Sequence, residues 1–279
     1  MEITPEIQYL VDMALREDLS DKGDITSQLT IPDHKEITAI MHSRDNGIIA
    51  GMDLASYVFK KVNDTLEIEK HTEDGQIIKP QQKILTVRGH ARSILSGERV
   101  ALNFLSHLSA IATQTHQYVD AVSHTKAKIL DTRKTLPAYR VLHKYAVKAG
   151  GGINHRMGLH DMILIKDNHI AAAGSVKAAL DAAEKSSYNV KIEIEVDTLE
   201  QLQEVLDHGA ADIVMLDNMS PELLQKAVKM VGGKILTEAS GGVNLDTVRA
   251  IAESGVDYIS IGALTHSVKV LDIGLDISD

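Results

Sequence analysis

Apolar and polar positions change their rhythm once along the chain, near residue 125. Before it, Ile7, Leu10, Val11, Ala14 and Leu15 recur at helical spacing behind Thr4 and Pro5, an N-cap and a residue preset for the first turn. Short alternating runs at Glu36–His42, Leu66–His71 and Lys83–Gly89 predict strands, with a helix over Met52–Val62 between them. Asp45-Asn46-Gly47 and Asp74-Gly75 read as turns. A long helix is predicted from about Ser96. Val100, Phe104, Leu108, Ile111, Thr115, Tyr118 and Val122 form its apolar stripe.

Beyond residue 125 strands and helices alternate. Runs rich in strand formers occur at Lys128–Asp131, Met162–Lys166, Lys191–Asp197, Asp212–Asp217, Lys234–Ala239 and Asp257–Gly262. Amphipathic stretches at Val176–Lys185, Leu199–His208, Pro221–Val231 and Leu245–Ser254 separate the later ones. Gly174, Gly209, Gly232 and Gly255 punctuate helix ends or loops. Short repeated βα units without a dinucleotide-type glycine motif favour a β/α barrel over an open doubly wound sheet. Six such units fall short of a complete eight-unit barrel.

Composition narrows the chemistry. The 279 residues carry 29 Lys+Arg against 39 Asp+Glu, a formal net charge of −10, which disfavours nucleic acid as a partner. With no Cys, disulfides, thiolate metal sites and cysteine nucleophiles are excluded. The N-terminus lacks a basic start and apolar run, and Val100–Val119 contains too many polar residues for a span. The expectation is a cytoplasmic protein with no membrane partner. No P-loop, dinucleotide, zincin or Ser-elbow motif occurs.

In β/α barrels chemistry gathers where strands end. Reading those ends in order collects Thr132, Arg133 and Lys134, then His155 and Arg156, then Lys166. Singly, each cation reads as a surface charge. Together, on strand ends of an acidic chain, they predict a pocket for a polyanionic small molecule. Glu193 and Glu195 alternate with Ile192, Ile194 and Val196, so both carboxylates share one face. Glu195 and Asp217 could hold a divalent metal, stabilise a developing positive charge, or belong to a structural ion-pair network. Ser240-Gly241-Gly242 and Gly262-Ala263 follow the last two strands, where barrels often cradle phosphate, although an ordinary tight turn fits as well. Arg99, in the first turn of the long helix, reads by position as a solvated charge, and His107 and His116 as packing or surface residues.

These segments resemble a known family. Asp131-Thr132-Arg133-Lys134-Thr135, Lys144-Tyr145-Ala146-Val147, Gly150-Gly151-Gly152-Ile153-Asn154-His155-Arg156 and Ile165-Lys166-Asp167-Asn168-His169 are similar to signatures of the carboxylating nicotinate-nucleotide pyrophosphorylases, the quinolinate phosphoribosyltransferases. Gly97-Glu98-Arg99, Leu216-Asp217-Asn218, Glu238-Ala239-Ser240-Gly241-Gly242 and Gly262-Ala263-Leu264-Thr265-His266-Ser267 extend the likeness along nearly the whole chain. Ala138 and Tyr139 after Pro137 depart from the pattern, which leads one to expect smaller or different residues there.

The resemblance implies an N-terminal α/β sandwich domain over residues 1–110. It also implies an open six-unit α/β barrel over 111–265, of the type II phosphoribosyltransferase kind, and a tail, 266–279, returning to the first domain. The implied reaction joins quinolinate to phosphoribosyl pyrophosphate, with Mg2+ and loss of CO2, in pyridine nucleotide biosynthesis. Arg133, His155 and Arg156 would bind quinolinate carboxylates, with Thr132 beside them and Lys134 and Lys166 reaching both substrates. Glu195 and Asp217 would serve the ribose and metal, and Ser240, Gly241 and Gly262 the 5′-phosphate. The resemblance also implies a homodimer, with a hexamer as a further form, in which Arg99 enters the neighbouring site. Two readings stand beside it: a phosphosugar aldolase or isomerase with Lys166 as Schiff-base amine, and a binding paralogue without turnover.

Overall fold

The structure is a computed structural model, and it describes residues 1–278. The first elements are α1 (Pro5–Leu19), α2 (Ile25–Thr30), β1 (Glu36–Ser43), β2 (Gly47–Ile48) and α3 (Met52–Val62). Then come β3 (Glu67–Lys70), β4 (Ile77–Ile78), β5 (Lys83–His90) and α4 (Ala91–Ala121). The chain continues through β6 (Lys128–Leu130), α5 (Arg140–Ala149), β7 (Ile163–Ile165), α6 (Asp167–Ala173) and α7 (Val176–Glu184). It proceeds with β8 (Ile192–Val196), α8 (Leu199–His208), β9 (Ile213–Asp217), α9 (Pro221–Val231) and β10 (Leu236–Ser240). It closes with α10 (Val248–Glu253), β11 (Tyr258–Ser260), α11 (Ala263–His266) and β12 (Ile273–Ser278).

Two compact units result. One comprises Met1–His116, Val141–Gly151 and Ser267–Asp279, and the other Gln117–Arg140 and Gly152–His266. The segment Val141–Gly151, expected within the barrel region, therefore packs with the first unit. Its helix α5 buries Leu142, His143, Lys144, Ala146 and Val147, and the Tyr145 hydroxyl donates to Asp74. At Gly150 a Cβ would lie 2.3 Å from the Ala112 carbonyl oxygen, so only glycine permits this approach. Part of the glycine-rich loop thus serves packing rather than ligand binding.

The first unit is built on a four-stranded antiparallel sheet, ordered β12-β1-β5-β3. Alternation in β1 turns Ala39, Met41 and Ser43 inward. The C-terminal tail enters this sheet as β12, with Ser43 opposite Ile273. The long helix begins at Ala91 instead of about Ser96, because β5 runs straight into it. Its expected stripe is buried from Val100 to Val122.

In the same unit His107 and His143 meet, Nε2 to Nε2, at 2.9 Å. One ring must donate and the other accept, so at least one of the two is neutral. Burial lowers both pKa values; for His143, burial and then the neighbouring ring bring it to about 4. The unfolded ring takes a proton near 6.5, so the folded state loses ground as pH falls from 6.5 towards 4. Across that window the stability gap between the wild-type protein and His143→Gln is expected to shrink by ~3 kcal/mol, measured by urea unfolding. A gap independent of pH would show that the pair does not titrate this way.

The second unit is a six-stranded parallel sheet, ordered β6-β11-β10-β9-β8-β7. β6 and β7 are its two edges, so the barrel stays open. Strands such as Ile213-Val214-Met215-Leu216 are buried throughout, as in parallel sheets covered on both faces. Side-chain caps start its helices: Ser175 accepts from the Ala178 N–H, Thr198 from Gln201 and Ser220 from Leu223. No helix of the described residues is long and apolar enough to cross a membrane.

Candidate active site

A cavity of about 800 Å³ opens at the C-terminal ends of the parallel strands. All but one of the expected pocket residues line it, namely Thr132, Arg133, Lys134, His155, Arg156, Lys166, Glu195, Asp217, Ser240, Gly241 and Gly262. Its lining comes entirely from the second unit. Arg99, the remaining expected residue, is exposed on α4 of the first unit.

The cationic wall is built from β6 outward. Asp131, fully buried at the strand end, accepts the His155 N–H at 2.9 Å and the Asn154 Nδ2–H at 2.5 Å. This ties the Asn154-His155-Arg156 loop to the strand. Burial, and then the charge of Arg133, lower the Arg156 pKa while Glu193 and Asp161 oppose them. Two guanidiniums that repel each other, one partly desolvated, form a site made for anionic groups. Lys134 is held by its carbonyl, which accepts the Thr265 hydroxyl at 2.7 Å. After Pro137, Ala138 adopts φ 64, a left-handed conformation that costs a residue with a Cβ ~1–2 kcal/mol.

Opposite lies the acidic side. Lys166 caps α6, its backbone N–H donating to His169 Nδ1, and its ammonium pairs with Glu195. Asp217, at the end of β9, accepts from Asn218 Nδ2 at 2.5 Å. Asn218 itself turns back at φ 53, and its N–H donates to the Ser240 carbonyl. Gly241 packs on that turn at φ 92; a Cβ there would lie 2.1 Å from Asn218 Oδ1. A side chain at 241 is thus excluded by both conformation and space. Gly262 is less constrained: a Cβ there would lie 2.9 Å from the flexible Lys134 side chain.

His155 lines the cavity and is also tied into its wall. Its Nδ1 accepts the Arg156 N–H at 2.8 Å, and its Nε2 faces Glu193 at 3.0 Å and Glu238 at 3.4 Å. Both ring nitrogens thus have protein neighbours in the free chain. Burial disfavours a charged ring, whereas hydrogen bonds and charge from the two carboxylates favour one and pull its pKa up. A second ring proton would sit on Nδ1, where the Arg156 N–H already points. Burial and the charge of Glu238 push Glu193 up to about 7, against the pull of His155. Alternation along β8 brought Glu193 to the inner face, but its pairing with β10's Glu238 is visible only in the fold.

Comparison with known proteins agrees with this architecture. The model of the quinolinate phosphoribosyl transferase C-terminal domain matches residues 111–276, and that of the N-terminal domain matches 24–109. The chain is 47% identical to a nicotinate-nucleotide pyrophosphorylase [carboxylating] of Mycobacterium leprae, over 95% of this chain and 94% of the relative. It is 42% identical to a chloroplastic nicotinate-nucleotide pyrophosphorylase of Arabidopsis thaliana, covering 98% and 83% of the two chains. A crystal structure of the nicotinate-nucleotide pyrophosphorylase from Ehrlichia chaffeensis superposes with TM-score 0.94 at 43% identity, over 100% of both chains.

Proposed function

The chain belongs to the quinolinate phosphoribosyl transferase family, and from that premise we propose that its pocket transfers phosphoribose from phosphoribosyl pyrophosphate to quinolinate, with decarboxylation to nicotinate mononucleotide. The observation that carries this reading is one cavity in which Arg133, Lys134, Arg156 and Lys166 face Glu195 and Asp217 at the strand ends. The pyridine nitrogen attacks C1′ as the C1′–pyrophosphate bond breaks, and pyrophosphate leaves. The pyridinium so formed draws the electron pair released when the 2-carboxylate departs as CO2, and C2 then takes a proton. Arg133 and Arg156 hold the carboxylates, with Thr132 beside them and His155 shaping the wall between. Glu195 and Asp217 stabilise the oxocarbenium-like sugar, and Lys134 and Lys166 the phosphates. Ser240, Gly241 and Gly262 frame the 5′-phosphate, close to backbone that carries no side chain at either glycine. Orientation and charge neutralisation are the chief work of the protein.

Mg2+ fits this site. It takes oxygen ligands from one or two carboxylates together with substrate phosphates. Glu195 is already paired with Lys166, so Asp217 offers the less committed carboxylate. When bound, the ion neutralises charge on the departing pyrophosphate. The reading further includes a two-fold dimer in which Arg99 reaches the partner's pocket, and residence in the cytoplasm. Purified protein with quinolinate, phosphoribosyl pyrophosphate and Mg2+ is expected to release nicotinate mononucleotide and CO2 in equal amounts, followed by chromatography and trapped gas. Neither product forming would end this reading in favour of binding without turnover.

A further inference from the structure

Beneath the pocket lies a cluster that the reaction does not use. Glu193 on β8 and Glu238 on β10 are 0% and 1% exposed, and β9 separates their strands. Their four buried oxygens have no hydrogen-bond partner of good geometry among the described residues, and His155 Nε2 stands 3.0 Å from Glu193 and 3.4 Å from Glu238. Two buried carboxylates with so little solvation are costly, and well-packed apolar residues would serve stability better. The three ligand atoms lie within 4.8 Å of one another, as a cation site requires. A ligating Nε2 must be free of hydrogen, however, and the Arg156 N–H at Nδ1 places the ring hydrogen on Nε2. The cluster is therefore read as a close contact of one ring with two carboxylates, not as a set of metal ligands.

We propose that Glu193 and Glu238 are positioning residues that set the grip of Arg156 on the aromatic diacid. The glutamates fix the His155 ring, the ring holds the Arg156 N–H, and Asp131 holds the His155 N–H from the other side. The peptide joining residues 155 and 156 is thereby pinned at both its flanking N–H groups. The Arg156 guanidinium is steadied further by Nη1 donating to the Met162 carbonyl at 3.2 Å. An arginine fork binds a carboxylate well only when its plane is preset, so loosening the pin weakens one substrate and spares the other. This inference rests on the assignment of Arg156 to a quinolinate carboxylate.

Steady-state kinetics of Glu193→Leu, Glu238→Leu and Glu193→Gln, with melting curves, test it, and Arg156→Ala is the reference. Leucine removes the acceptor, and the KM for quinolinate should rise about tenfold or more while that for phosphoribosyl pyrophosphate stays within about twofold. Glutamine keeps a neutral acceptor, roughly half as strong, and should raise the quinolinate KM only about threefold. A purely structural role would instead lower Tm and kcat together and leave both KM values alone, which overturns the proposal. If the leucine variants do not fold, Glu193→Gln decides, and an unchanged quinolinate KM rejects it. If Arg156→Ala also leaves that KM unchanged, the carboxylate assignment falls and the proposal with it. If Arg156→Ala raises it while the glutamate variants do not, only the proposal falls.

Discussion

Arg99→Ala and Glu195→Ala proteins, each made alone, are expected to be nearly inactive, whereas co-expressing the two should restore roughly a quarter of wild-type activity. The expectation follows from the proposed two-fold dimer with shared sites. Glu195 is 8% exposed and lines the pocket of the second unit, and Arg99 is exposed on α4 of the first. In a closed two-fold assembly that shares residues between sites, a mixed dimer contains one site with both lesions and one with neither. Random pairing makes about half the dimers mixed, and half their sites are intact. If Arg99 served the pocket of its own chain, every site in the mixture would carry one lesion. A heterodimer shown to be present, yet inactive, would therefore exclude the shared site. Loss of activity in Glu195→Ala would have its own physical cause: the change removes the partner of the Lys166 ammonium as well as the carboxylate proposed to face the sugar.

Nicotinic acid should be turned over far less efficiently than quinolinate, by ~30-fold or more in kcat/KM. Quinolinate brings two carboxylates, and the pocket offers two guanidiniums, Arg133 and Arg156. With one carboxylate missing, one guanidinium remains opposite nothing when the site closes around ligand. Breaking a buried charge pair costs about 2–5 kcal/mol. Arg133 is exposed in the free chain, so water can still reach it, and the lower end of that range applies. Competition between the acids, with product identified by mass, measures the ratio. Arg156→Ala should narrow it, because that side chain is the more buried of the two. Comparable turnover of both acids would show that the two cations do not read two carboxylates.

Local pattern carried much of this protein. The period of two in β1 and of 3.6 in α4 and α9 reflects burial of one face, which any sequence must write into its residues. The parallel strands were legible as apolar runs bounded by polar ends, and those ends gave the pocket, since barrel chemistry collects there. Arg133, Lys134, Arg156, Lys166, Glu195 and Asp217 line one cavity for that reason. Boundaries were less legible. Helices α2, α6 and α11 are 6, 7 and 4 residues long, too short for a periodic signal. The strand order was not legible either, because a parallel sheet leaves no trace in sequence of which edges remain open.

Tertiary structure decided the rest through contacts between residues far apart in the chain. Val141–Gly151 joined the first unit, since five buried side chains of α5 and the close approach of Gly150 to Ala112 outweigh its position in sequence. His155 illustrates the same limit at the scale of one ring. The residue type and its place beside Arg156 made it a candidate carboxylate ligand. What it does depends on the direction of each nitrogen, and that is set by Glu193 on one strand, Glu238 on another and the Arg156 N–H. Sequence by itself determined the chemical inventory and the strand ends that gather it, because both follow from local burial. Only the folded chain decided which groups meet, because the two carboxylates that face the His155 ring lie 38 and 83 residues away along the chain.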